Sequence, residues 1–379
     1  MEVISMTKKI KIAFVTASDP LDKKSWSGIY YQMYQNLKNN VEKVDCIGPI
    51  PLFFIKAMAV TNRLTKLIFR KGYNYKNSIL LSYIHSKYIQ LKLRGKHYDY
   101  IFAPAASTEI AFLNTDIPII YCSDSSFGQM NEYYDTYSNL FEFSVKESNI
   151  IEQKAIEKAA YITYPSNWAK NYVVNHYNSK AKIAVLPFGA NIDERYVHFE
   201  PKQISKYETV NILFLGVDWY RKGGDLVYDT FLRLLEAEYD IHLTVCGCIP
   251  PVKHDKMKVI PFLNKNKESD LKELAAIFKN SHFLFLPSKA ECFGIVFCEA
   301  SAYGVPSISR NTGGISNAIA NGVNGFCVNP EATAEVYFEL LQKYIEQPEL
   351  YNELSNSSRK LYIEKLNWNV WANDLLNLL

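Results

Sequence analysis

The sequence lacks paired cysteines, a long apolar run and an excess of charge of one sign. Its 379 residues hold seven cysteines, none in a Cys-x-x-Cys pair, and no Cys/His spacing suits zinc. Only Cys246 and Cys248 stand close together. An odd number of scattered thiols fits a reducing, cytoplasmic setting better than a disulfide framework. The longest apolar stretches fall short of the ~20 residues that cross a bilayer, and Met1–Ile10 has no apolar core suited to a secretory signal. Lys and Arg number 42 against 39 Asp and Glu, a net +3 that is too balanced for a dedicated nucleic-acid binder. No Gly-x-Gly-x-x-Gly appears at Thr16–Gly28 or Gly216–Gly224, which argues against a nicotinamide-dependent oxidoreductase. Short repeats and low-complexity tracts are also missing.

What is present is a globular composition, 48% hydrophobic and 21% charged, in a chain long enough for two domains. Charge is unevenly placed. Residues 1–120 carry 17 basic and 8 acidic side chains, and 121–379 carry 25 and 31. Short β-branched or aromatic runs alternate with helical patterns. The expected strands are Ile10–Thr16, Tyr98–Ala103, Ile117–Cys122, Tyr161–Tyr164 and Lys182–Leu186, then Val210–Leu215, Ile241–Cys246, Lys258–Ile260, His282–Leu286, Val305–Ser309 and Gly325–Val328. Several are apolar on both faces, as in Ile12-Ala13-Phe14-Val15, which marks buried parallel strands. The pattern restarts after a polar stretch, with a hinge near 187–208. The expected architecture is α/β, two Rossmann-like doubly wound lobes facing a cleft: residues 1–195, 196–365, and a closing helix 366–379 packing back toward the first lobe.

The most informative stretch runs from Leu286 to Pro306. A buried strand ends at Pro287, a loop carries Glu291 to Gly294, and a helix follows until Gly304. Gly294 lets the backbone approach a ligand, and the helix-start amides of Gly294, Ile295 and Val296 would face a phosphate. Glu299 falls near the second helical turn, within reach of hydroxyls attached to that phosphate. The glutamate spacing alone carries little, since Glu200/Glu208 and Glu331/Glu339 share it. The strand–loop–Gly–helix setting is what separates Glu291/Glu299.

These residues resemble the nucleotide-sugar motif of the retaining GT-B glycosyltransferases of family 4: a glutamate, seven residues, a second glutamate. Leu213-Phe-Leu-Gly216-Val-Asp-Trp-Tyr-Arg221-Lys222-Gly223-Gly224 is similar to the segment that holds the donor diphosphate there, and Asn311-Thr-Gly313-Gly314 to a later glycine pair. The likeness is continuous over about 210–330 and looser in the first lobe. It implies a retaining, metal-independent enzyme that moves a sugar from a nucleoside diphosphate donor to a glycan or lipid-linked acceptor in cell-surface polysaccharide or glycolipid synthesis. Lys222 and Arg221 would neutralise the leaving diphosphate, Glu291 would contact the donor sugar, and Glu299 the ribose. No Asp-x-Asp sits in a loop suited to a divalent metal, and no cofactor is expected. Gly216, Gly247 and Phe262 are expected around the nucleotide, and Gly28 near the phosphates and acceptor. Two positions depart from the pattern: Val217 stands where relatives often carry Arg, and Asp124 where many carry His. Asp124 then binds sugar hydroxyls or acts near the acceptor as a catalytic residue, caps a turn or helix, or does both.

The alternatives are a nucleotide-sugar 2-epimerase of the same fold and, from another class, a non-catalytic nucleotide-sugar binder. One basic segment, 51–71, has five cations, no acid and many apolar residues. It suits peripheral contact with an anionic leaflet on the inner face of the membrane, a lipid-phosphate acceptor, or an ordinary helix with a solvated basic face.

Overall fold

The computed structural model describes residues 8–51 and 53–379. The chain divides into two compact units, one reaching to Leu186 and including Ala372–Leu379, the other Pro187–Trp371. The Met1–Ile10 and 51–71 readings therefore fall partly on residues outside those described. Helix Phe53–Phe69 itself is described. Among the described residues no helix is long and apolar enough to cross a membrane.

The first unit holds β1 (Lys8–Val15), β2 (Val41–Ile47), β3 (Tyr100–Pro104), β4 (Ile119–Cys122), β5 (Ala159–Tyr164) and β6 (Lys182–Val185) in one sheet of order β2-β1-β3-β4-β5-β6. Every pairing in it is parallel. Ile12, Ala13, Phe14 and Val15 are buried, as are Ile119, Ile120, Tyr121 and Cys122, because helices cover both faces of a parallel sheet. The sequence reading did not include β2. Its Val-Glu-Lys-Val-Asp-Cys-Ile neither alternates nor runs apolar, and as an edge strand bonded only to β1 it buries Val41, Val44 and Ile47 and leaves Glu42 and Lys43 exposed.

The second unit repeats the plan with β7 (Val210–Leu215), β8 (Ile241–Cys246), β9 (Met257–Ile260), β10 (Phe283–Phe285), β11 (Ser307–Arg310) and β12 (Gly325–Val328), in the order β12-β11-β10-β7-β8-β9. All its pairings are parallel too. Phe214, Phe231, Phe278 and Phe285 fill the core around it. In each unit the strand order reverses direction once, between β1 and β3 in the first and between β7 and β10 in the second. The crevice at the carboxyl ends of such strands is where α/β sheets take ligands. Both candidate sites lie there.

Candidate functional site

In the second unit, β7 ends at Gly216 and the chain turns through Asp218–Gly223 into helix Gly224–Glu236. Gly223 has φ +78, and a Cβ there would sit 2.3 Å from the Pro287 carbonyl oxygen, so only glycine fits. The turn aims Lys222 at the end of β10, where its ammonium forms an ion pair with Glu291. Lys222 is only 8% exposed. Burying an ammonium is costly unless an opposite charge meets it, and Glu291 is that partner. Arg221 joins them: its Nη1 donates to the Ala290 carbonyl at 2.9 Å and lies 3.8 Å from Glu291, while Nε lies 3.6 Å from Asp218. The main chain ties the loops together, Lys289 N donating to Arg221 O and Gly314 N to Glu291 O.

Gly294 begins helix Ile295–Ala302 at φ +86. The first-turn amides of a helix have no intrahelical acceptor and carry the positive end of its dipole, so Ile295 and Val296 present donors suited to an anion. Glu299 stands within that helix, 2% exposed. Lys265 Nζ lies 2.5 Å from its Oε1 and 3.1 Å from the Asn191 carbonyl. Burial pushes the Glu299 carboxyl above its ordinary range, opposed by Lys265 and the Asn191 amide. Sequence reasoning missed Lys265, because one lysine in a polar loop carries no mark of its partner. Gly216 and Gly247 pack closely, a Cβ on Gly247 (φ +103) lying 2.9 Å from Gly216 O. Phe262 follows β9 and is exposed. Thus Lys222, Arg221 and Glu291 converge, with Gly216 beneath the Lys222 stem and Gly294 beside Glu291. Among the described residues no three His, Cys, Asp or Glu side chains gather as metal ligands would.

The other two predicted residues, Gly28 and Asp124, belong to the first unit. Trp26, Ser27 and Gly28 all have positive φ, at 47°, 56° and 91°, before helix Ile29–Asn40 starts. Left-handed backbone is costly for a tryptophan, and here it brings the indole Nε1 to Asp124, to which it donates at 3.1 Å. Ser126, not Asp124, holds the N-cap position of the short helix Phe127–Met130. Trp26 and Asp124 line a cavity of about 670 Å³ at the ends of β1, β3 and β4. Among the wall residues that escaped the sequence reading are His85, Glu109 and Glu152. Tyr121 donates to Glu152 at 2.9 Å, and burial pushes that carboxyl up to about 7.

Residues 198–361 match the family model of the glycosyl transferases, group 1. That stretch, somewhat under half of the chain, is similar to the group 1 glycosyltransferases. The matched span contains the whole Lys222–Arg221–Glu291 constellation and the Glu299 helix. An uncharacterized 41.2 kDa protein in the cps region of Klebsiella pneumoniae is 33% identical over 165 residues, 42% of this chain and 44% of that protein. A D-inositol 3-phosphate glycosyltransferase of Paenarthrobacter aurescens is 27% identical over 194 residues, 47% of each chain. The chain spans about half the length of these curated relatives. Solved structures match more fully. Sucrose-phosphate synthase from Thermosynechococcus elongatus superposes with a TM-score of 0.68 at 14% identity, covering 98% of both chains. HepE of Anabaena, in complex with UDP and glucose, gives 0.66 at 13% identity, covering 97% of this chain and 99% of its own. The fold is that of the GT-B glycosyltransferases.

Proposed function

We propose that this chain is a glycosyltransferase that moves a sugar, with retention at the anomeric carbon and without a metal, from a nucleoside diphosphate donor to a glycan or lipid-linked acceptor. The second unit takes the donor and the first unit takes the acceptor. The observation that carries this reading is the buried Lys222 paired with Glu291 and flanked by Arg221, at the strand-end crevice that also holds the Gly294 helix start.

A nucleoside diphosphate sugar gathers negative charge on its bridging phosphates as the anomeric bond breaks. Lys222 and Arg221 supply fixed positive charge for that leaving group, and the Ile295 and Val296 amides add oriented dipoles. Because Glu291 already holds the Lys222 ammonium in place, little reorganisation is needed when charge develops. Glu291 then contacts the donor sugar and Glu299 the ribose hydroxyls. Gly216, Gly247 and Phe262 border the nucleotide. HepE was solved with UDP and glucose, which supports a UDP-type donor. The Klebsiella relative lies in a cps region, which supports a role in surface polysaccharide assembly. All seven cysteines are free, in keeping with a cytoplasmic setting. Helix Phe53–Phe69 exposes Leu64, Leu67, Ile68 and Phe69 together with Arg63 and Lys66, a surface suited to peripheral contact with an anionic leaflet.

The test is a screen of UDP- and GDP-sugars for transfer and slow hydrolysis, followed by kinetics of Lys222→Ala. Loss of one oriented charge at a developing anion typically costs roughly 10²–10³ in turnover. The variant should lose kcat on that scale at saturating donor, and wild-type activity should survive EDTA. An unchanged kcat for the variant, or conversion of the donor sugar to its epimer with no acceptor present, rejects the reading.

A further inference from the structure

The first unit's cavity contains a pair of buried side chains that the donor chemistry does not use. His85 is carried by helix Ile79–Leu93, and Glu109 by the short helix Ser107–Ile110. They are 2% and 5% exposed, and His85 Nδ1 lies 2.8 Å from Glu109 Oε1. The two helices are bolted together around the pair, with Ser82 Oγ donating to Thr108 O at 2.6 Å and Ser86 Oγ to Glu109 O at 3.0 Å. A carboxylate only accepts hydrogen bonds, so the imidazole donates from Nδ1, and in its neutral form it presents a lone pair at Nε2. That Nε2 is buried and has no hydrogen-bond partner among the described residues. His85 is among the residues that line the cavity. A buried acceptor left unmatched is costly, and a ligand hydroxyl can supply the missing donor.

The rest of the wall limits what that ligand can be. Asp124, Glu109 and Glu152 line the cavity, and Lys76, itself exposed, is the one Lys or Arg among the described lining residues. An anion entering there would meet the carboxylates of Asp124 and Glu109. Trp26 and Tyr30, with ring centroids 5.1 Å apart, add flat apolar faces beside the polar groups. The volume, about 670 Å³, lies within the range of about 300–1,000 Å³ usual for small-molecule sites.

We infer that this cavity holds an uncharged, hydroxyl-rich ring of the acceptor, one of whose hydroxyls donates to His85 Nε2, and that it discriminates against phosphorylated sugars and polyols. The inference deepens, and rests on, the acceptor role given to the first unit. His85 acts as a specificity-determining residue, and Glu109 positions its ring.

Saturation-transfer NMR on the full chain can test it, using methyl glucoside, methyl galactoside and myo-inositol beside glucose 6-phosphate, galactose 6-phosphate and inositol 1-phosphate. At least one neutral probe should bind, with its phosphorylated counterpart weaker by about ten-fold or more. A pocket built to receive a hydroxyl loses far more when the matching group goes than one that merely fits its shape. His85→Phe, which keeps the volume and removes the lone pair, should lose about ten-fold or more in neutral-probe binding. His85→Gln, whose carbonyl oxygen can accept, should restore part of it. UDP titration of the same samples reads the second unit separately. Failure of UDP to bind rejects the donor reading and leaves the sugar comparison legible. Phosphates binding as well as or better than the neutral probes, no neutral probe binding, or unchanged binding by His85→Phe overturns the inference.

Discussion

Buried ionisable side chains decide most of the chemistry here, and each has its own compensation. Lys222 is offset by Glu291, and Glu299 by Lys265 and the Asn191 amide. Glu152 receives only neutral donors such as the Tyr121 hydroxyl, and burial carries its carboxyl from an ordinary 4.5 to about 7. The fold therefore prefers the protonated form. Between those two values the unfolded chain releases the proton while the folded one keeps it, so stability falls as pH rises from 4.5 to 7 and levels off above. Glu152→Gln keeps an acceptor for Tyr121 and removes the titration. It should match wild type near pH 4.5 and exceed it at pH 8 by on the order of 3 kcal/mol, read from urea denaturation at both pH values. A difference that does not change with pH would refute the assignment. Gly294 is held by sterics as well as by φ, since a Cβ there would lie 2.4 Å from the Phe297 ring.

Elements place these residues through their ends more than their middles. Helix Ile295–Ala302 has eight residues, too few for stability on its own, and holds through burial of Phe297, Cys298 and Ala300. Its entry at Gly294 and its second-turn glutamate follow from the rise and pitch of any helix. Helix Phe53–Phe69 is the opposite case, leaving Leu67 80% and Ile68 66% exposed amid basic side chains. Exposed aliphatics on such a face cost solubility unless something apolar and anionic covers them. The double substitution Leu67→Glu with Ile68→Glu should cut co-sedimentation with phosphatidylglycerol vesicles by roughly ten-fold and leave the melting temperature unchanged, because nothing in the core is touched. Equal sedimentation of both proteins would show that the helix is an ordinary solvated one.

At the scale of the whole molecule, two parallel sheets of six strands each place their reversal point under a candidate site, with separate chemistry in each unit. On the proposed reading, the second unit meets an anion with Lys222, Arg221 and a helix start, and the first meets hydroxyls with carboxylates, an imidazole and aromatic rings. Ligand binding to a folded unit raises its stability by mass action, about 2.7 kcal/mol at a hundred-fold excess over Kd. Hydrogen exchange with added UDP should therefore slow at residues 216–224 and 291–299 and change little at 79–93 and 107–110. Neutral sugars should give the reverse pattern. Protection by UDP concentrated in the first unit would contradict the division of labour.

The sequence by itself determined the alternation of strands and helices and singled out most residues of the second-unit candidate site. Those features are local: an apolar run reports a buried strand, a glycine reports the turn that needs it, and Glu291, Gly294 and Glu299 lie within one strand–loop–helix segment. Strand β2 escaped because an edge strand has little apolar pattern to show. Only the tertiary structure decided that Lys222 pairs with Glu291, that Lys265 meets Glu299, that Trp26 bonds Asp124, and that His85 stands against Glu109. These partners come from separate elements, brought together by sheet order and by helices crossing over the strands. A charged or aromatic residue bears no trace in its own neighbourhood of a partner 24 or 98 positions away.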